Sequence, residues 1–221
     1  MKETLRVLTT PDQVLEQIKG FRRAYVYHWR DWLSVSEGCD FQAAPICTEV
    51  VAEFKEIMSK WWACGRYQSL RCDAELRSTL NAATEPLRRV GSADLRSFQT
   101  PSDALIGAIN DLWRIFEEGL CLKHRASEVG VSKAILLVTK GRIGPAFDSK
   151  VQSHLDGFVV GCTTYVKALG KIACELAYFE TRERTTLESL AEQAGRPAAV
   201  GRAIDMVLGP RNANRREIST R

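Results

Sequence analysis

The chain is poor in the features that mark most metalloenzymes, nucleotide enzymes and secreted or membrane proteins. It has three histidines in 221 residues, none in the paired spacing of a helix-borne metal site. The seven cysteines, Cys39, Cys47, Cys64, Cys72, Cys121, Cys162 and Cys174, contain no C-x-x-C pair, so neither a zinc site nor a disulfide framework is expected. A phosphate-cradling loop, a dinucleotide-binding glycine pattern and a serine-nucleophile elbow are all missing, which leaves NTP hydrolysis, redox and hydrolase readings without a carrier. No apolar run approaches the roughly 18 residues of a membrane span, and residues 1–11 lack the apolar core of a signal peptide. The expected setting is cytoplasmic, with no membrane partner, cofactor or metal. Strand-like alternation is absent too, which points to an all-α fold.

What is present fits that class. Hydrophobic residues make up 45% and charged residues 26%, an ordinary globular balance. Thr10, Pro11 and Asp12 start a long amphipathic segment with Val14, Ile18, Phe21, Tyr25 and Trp29 at helical spacing, extended by Trp32 and Leu33, and Pro45 opens another with Val50, Val51, Phe54, Ile57 and Trp61 that Gly65 ends. Cys72 to Arg89 reads as helix that ends or kinks at Pro86. Thr100 and Pro101 start a helix with Leu105, Ile109, Leu112 and Phe116 on one face, and a longer helix runs from Asp156 to near Arg182. Thr185 or Thr186 caps Leu187 to Ala194, and Pro197 starts Ala198 to Leu208. The pattern predicts a compact, two-lobed helical unit over residues 1–209 with about eight to ten helices. A hinge is expected in the polar connector 91–100, and a flexible basic tail over 210–221.

The densest chemistry lies in residues 129–155. Ser132 is expected to cap a buried helix from Lys133 to Lys140, in which Ala134, Ile135, Leu136, Leu137 and Val138 are apolar on nearly every face. Gly141 stops it, Gly144 and Pro145 make a turn, and Asp148 sits near the start of the next helix. A helix of about eight residues advances roughly 12 Å, while the connection 141–147 can span up to about 23 Å. The chain can therefore return Asp148 to the side of Lys133. An ammonium and a carboxylate so placed, half-buried, perturb each other's protonation, as paired groups at functional sites do.

These residues resemble the helix-hairpin-helix base-excision DNA glycosylases. Val129 and Gly130 look like the second half of that superfamily's hairpin, Lys133 like the lysine that opens a buried helix in its bifunctional members, and Phe147 to Val151 like its aspartate-bearing helix start. Ala126, Ser127 and Glu128 stand where the hairpin has leucine, proline and glycine, one extra residue separates Gly130 from Lys133, and Lys150 occupies a position that is often histidine. The resemblance implies DNA as partner, Asp148 as stabiliser of positive charge on a deoxyribose losing its base, and Lys133 as the nucleophile that forms a Schiff base. It implies a flipped-out base as substrate.

Charge agrees with such a partner. The net charge is +4, and it gathers in Lys123 to Lys150, where Lys140, Arg142 and Lys150 are candidate nucleic-acid contacts, and in the tail through Arg211, Arg215, Arg216 and Arg221. Two alternatives stand beside this reading. Arg23 and His28 match the short arginine–histidine pattern of the all-α HEPN ribonucleases, although five helical positions put them about 140° apart. The other is a non-catalytic helical interaction protein that keeps the core without the chemistry.

Overall fold

The computed structural model describes residues 8–21, 37–61, 63–64, 69–155 and 161–209. Nine α-helices lie among them: α1 (Pro11–Gly20), α2 (Thr48–Lys60), α3 (Asp73–Val90), α4 (Asp103–Gly119), α5 (Glu128–Val138), α6 (Ser149–Ser153), α7 (Tyr165–Glu183), α8 (Leu187–Gln193) and α9 (Val200–Leu208). No β-strand forms among the described residues, and the fold is all-α. Side-chain caps set several of the starts. Thr10 accepts from the Gln13 amide ahead of Pro11, Ser102 from Leu105, Ser127 from Gly130 and Thr186 from Ser189, each satisfying an amide the helix itself leaves open.

The helices pack in two groups around one apolar core. In the first, α3 lies along α4, α2 covers α3, and α5 is wedged against α2 and α4. The second joins the two ends of the described chain: α1 packs on α8 and α9, and α6 on α9. Aromatic side chains tie the parts together. Phe54 reaches both Phe41 and Phe116 at 6.2 Å, while Tyr165 at the start of α7 packs on Trp113 of α4 at 4.8 Å and on Phe147, just before α6, at 5.4 Å. Among the described residues no helix is long and apolar enough to cross a membrane.

Several local expectations need correction. Pro86 does not end α3, which continues to Val90. A mid-helix proline costs about 3 kcal/mol, whereas Leu87 and Val90, both buried by the last turn, return about 1.5–3 kcal/mol each. The helix expected from Asp156 begins only at Tyr165, after a turn in which the Thr164 hydroxyl accepts from the Gly161 amide. Residues 156–160 lie outside the described set.

Residues 91–100 form a 3₁₀ turn, Leu95–Phe98, held by many bonds. Arg96 makes two hydrogen bonds to Glu180 on α7 (2.9 and 2.7 Å), two to Glu188 on α8 (2.8 and 2.6 Å) and one to Asp94 (3.0 Å). The carboxylates hold its guanidinium well above the ordinary range.

The cysteines also depart from expectation. Cys64 and Cys121 form a disulfide with a Cα–Cα separation of 6.0 Å, joining the turn after α2 to the end of α4. Beside it, Arg71 N donates to Leu120 O and Leu122 N to Ser69 O, both at 3.0 Å, so the two segments run as a short antiparallel pair. The spacing of Cys64 and Cys121 carries no motif, because these contacts come from tertiary packing.

Candidate functional site

Lys133 does not open its helix. Ser127 is the cap and α5 begins at Glu128, so Val129 and Gly130 are helical and form no hairpin, and Lys133 sits mid-helix. Ser132, read as a cap, is fully buried and accepts the Phe147 amide at 2.9 Å, which pins the loop before α6 onto α5.

Gly130 explains why this segment approaches the turn after α2 so closely. A Cβ there would run into the Ala63 carbonyl oxygen. With glycine in place the two backbones touch, and one turn further along α5 the Lys133 ammonium donates to the Trp61 carbonyl oxygen.

Asp148 is the N-cap of α6. Its Oδ1 accepts the Lys150 and Val151 amides at 2.9 and 3.0 Å, while Oδ2 takes no hydrogen bond among the described residues. Lys133 and Asp148 are not in direct ion-pair contact, but they share an electrostatic neighbourhood. Burial holds the Lys133 amine below its ordinary range, the Asp148 and Asp205 carboxylates pull it back up, and the Arg202 guanidinium opposes them. The Phe147–Ser132 bond places the residues next to Lys133 and Asp148 in contact, and the Asp148 charge acts on the Lys133 amine.

The other sequence candidates fare differently. Lys150 is exposed, two residues beyond Asp148. Lys140 is exposed and takes a left-handed conformation (φ 54°) where the chain leaves α5. Arg142 turns toward the 91–100 connector: its Nη1 donates to the carbonyls of Gly91 and Ala93 and its Nε to that of Thr139. Arg23 and His28 lie outside the described residues, as do Tyr25, Trp29, Trp32, Leu33 and Gly65.

Sequence reasoning missed two residues of the site. Every residue of α9 is buried, yet it carries Arg202 and Asp205. Their side chains, 5% and 9% exposed, form an ion pair. Asp205 Oδ1 accepts the Ala146 amide at 3.0 Å, and the Arg202 amide donates to Gly141 O at 2.8 Å, so both ends of the 141–147 loop rest on α9. Gly201 and Gly144 allow that approach, since a Cβ on Gly201 would lie 2.6 Å from Gly144 N. The Arg202 guanidinium also sits over the rings of Trp61 (5.3 Å) and Phe21 (5.5 Å). Burial pushes the Asp205 carboxyl up, and Arg202 draws it back down. A signal was available: two opposite charges three apart in an otherwise apolar nine-residue helix have to be buried as a pair.

The lowered amine gives a stability prediction. A lysine that folding makes harder to protonate binds fewer protons in the folded chain than in the unfolded one between its two values, so its penalty is full only below the lowered folded value. The penalty is relieved as pH rises through the lowered folded value toward the ordinary 10.5. Thermal unfolding followed across that alkaline range should show wild type gaining on Lys133→Met as pH rises. A pH-independent difference between the two would mean that the amine is not perturbed by folding.

No protein-family model, curated protein or solved structure matches the chain.

Proposed function

We propose that the chain is a divergent DNA-glycosylase-like protein that binds nucleic acid and processes a damaged nucleotide through Lys133 and Asp148. The observation that carries this reading is the half-buried Lys133 amine, on which the Asp148 carboxylate acts electrostatically while one of its oxygens takes no hydrogen bond among the described residues. A nucleophilic lysine needs a neutral amine at working pH, and burial favours that form. As the base leaves with the glycosidic bond pair, the Asp148 carboxylate stabilises positive charge on the sugar. The Lys133 amine then adds to C1′ and gives up a proton, the C1′–O4′ bond breaks as O4′ takes up a proton, and the nitrogen lone pair forms the C=N bond of a Schiff base. The exposed Lys140 and Lys150 supply charge for phosphates, while Arg142 serves chiefly to hold the 91–93 backbone.

Two observations favour the non-catalytic alternative: α5 runs through Val129 and Gly130 with no hairpin, and Lys133 donates to Trp61 O as an internal strut would. The two readings separate on duplexes carrying either a damaged base or a preformed abasic site. The catalytic reading expects Asp148→Asn to lose base release yet still form a borohydride-trapped adduct on the abasic duplex, because the base is already gone there. It expects Lys133→Ala to lose the adduct. No adduct on any duplex, with no DNA retardation at low salt, would leave the interaction-protein reading.

A further inference from the structure

We propose that the buried Arg202–Asp205 pair is the positioning device of the Lys133–Asp148 site: Asp205 fixes the loop that presents Asp148, and Arg202 fixes the turn whose carbonyl receives Lys133. The inference rests on that site as read above and adds two residues to it.

The geometry runs outward from the pair in both directions. On one side, Asp205 Oδ1 takes the amide of Ala146, two residues before Asp148, and the Arg202 amide holds Gly141 at the start of the same loop. Ser132, next to Lys133, takes the Phe147 amide, so the loop is clamped between α5 and α9 immediately before the Asp148 cap. On the other side, the Arg202 guanidinium covers the ring of Trp61, whose carbonyl oxygen accepts from Lys133. The two partners of one ion pair therefore reach the two groups that surround the amine.

A salt bridge kept only for stability would not need this placement, because buried pairs are often replaceable by apolar side chains at little cost. Among the described residues, the charged groups acting on Lys133 are Asp148 at the start of α6 and Asp205 and Arg202 on α9. Removing the Asp205 charge takes away one of the carboxylates that act on the amine while Arg202 keeps its positive charge, which disfavours protonation of Lys133. Asp205 and Arg202 touch no reacting atom in this account. They act through Asp148, Trp61 and Lys133.

The test uses the full chain without DNA, so a negative result in the glycosylase assays would sink the function and leave this inference standing. Lys133 is titrated by NMR of labelled lysine, with its resonance assigned by its loss in Lys133→Arg, and exchange of the Ala146 amide is followed in the same samples. In Asp205→Asn, which keeps an acceptor for Ala146, the Lys133 midpoint is expected to fall, and Asp205→Glu should restore it. In the double variant Arg202→Leu/Asp205→Leu, whose apolar pair removes both buried charges, the Ala146 amide should exchange several-fold faster while core amides of α3 stay protected. If Asp205→Asn does not fold, the leucine pair decides alone. A folded leucine pair with unchanged Ala146 exchange, or an unchanged Lys133 midpoint in a folded Asp205→Asn, overturns the inference. Failure of Asp205→Asn and the leucine pair to fold overturns it too, since the pair would then serve the fold alone.

Discussion

Replacing Asp205 by alanine is expected to lower the unfolding free energy by about 3–5 kcal/mol, the usual cost of breaking a buried ion pair from one side. Arg202 and Asp205 are 5% and 9% exposed. The substitution removes the carboxylate that pairs with the buried guanidinium, and it takes the acceptor away from the Ala146 amide. That second loss alone is of order 1–3 kcal/mol when the amide stays buried, although the two costs overlap because both come from the same carboxylate. The Trp61 and Phe21 rings beneath Arg202 offset part of the first cost by cation–π attraction, about 2 kcal/mol at most in a desolvated setting. The balance still falls on the side of loss. Urea unfolding of Asp205→Ala against the leucine double variant gives the check, because the double variant removes both charges and should stay much closer to wild type. A loss below about 1 kcal/mol in the single variant would mean that the pair is more solvated than its geometry indicates.

Loss of the Cys64–Cys121 disulfide is expected to cost a similar amount, up to about 4 kcal/mol on the chain-entropy argument for its loop. The bond spans a sequence separation of 57, so cutting it frees a long segment of the unfolded chain. Cys121 is fully buried at the end of α4, while Cys64 is half-buried in the turn that carries the Trp61 carbonyl. The same cross-link therefore holds that turn against Gly130 and Lys133. Urea midpoints with and without a dithiol reductant, and for Cys64→Ala/Cys121→Ala, should fall together. A midpoint insensitive to reductant in wild type would show that the two thiols are already free in solution.

How much of this was legible in the sequence differs from residue to residue. The α1 start at Thr10 and Pro11 and the α8 start at Thr186 could be read, because caps are local chemistry. The start of α5 was misplaced by the resemblance, which reads Val129 and Gly130 as hairpin. A glycine in a helix interior costs about 1 kcal/mol, so it looks like a break unless something needs the missing side chain. Here the Ala63 carbonyl needs it, a contact between segments more than 60 positions apart that no local pattern reveals. Pro86 misled in the same way, because the burial of Leu87 and Val90 is tertiary.

The candidate site was half legible. Lys133 and Asp148 could be placed together because the connection between them is short enough to limit where it can go. The hydrogen bonds of Arg142 to the Gly91 and Ala93 carbonyls could not be read from its charge, because they depend on how the 91–100 connector folds back. Arg202 and Asp205 lie more than 50 residues beyond Asp148, and only the meeting of α9 with the 141–147 loop brings them in.

The proposed role of Lys133 is that of an amine poised to react beside Asp148. The most direct test is to trap wild-type protein with borohydride on an abasic duplex and map the adduct by peptide mass spectrometry. The sugar-derived mass is expected on Lys133, and is expected to disappear in Lys133→Ala. An adduct on a different lysine, or none at all, would contradict it.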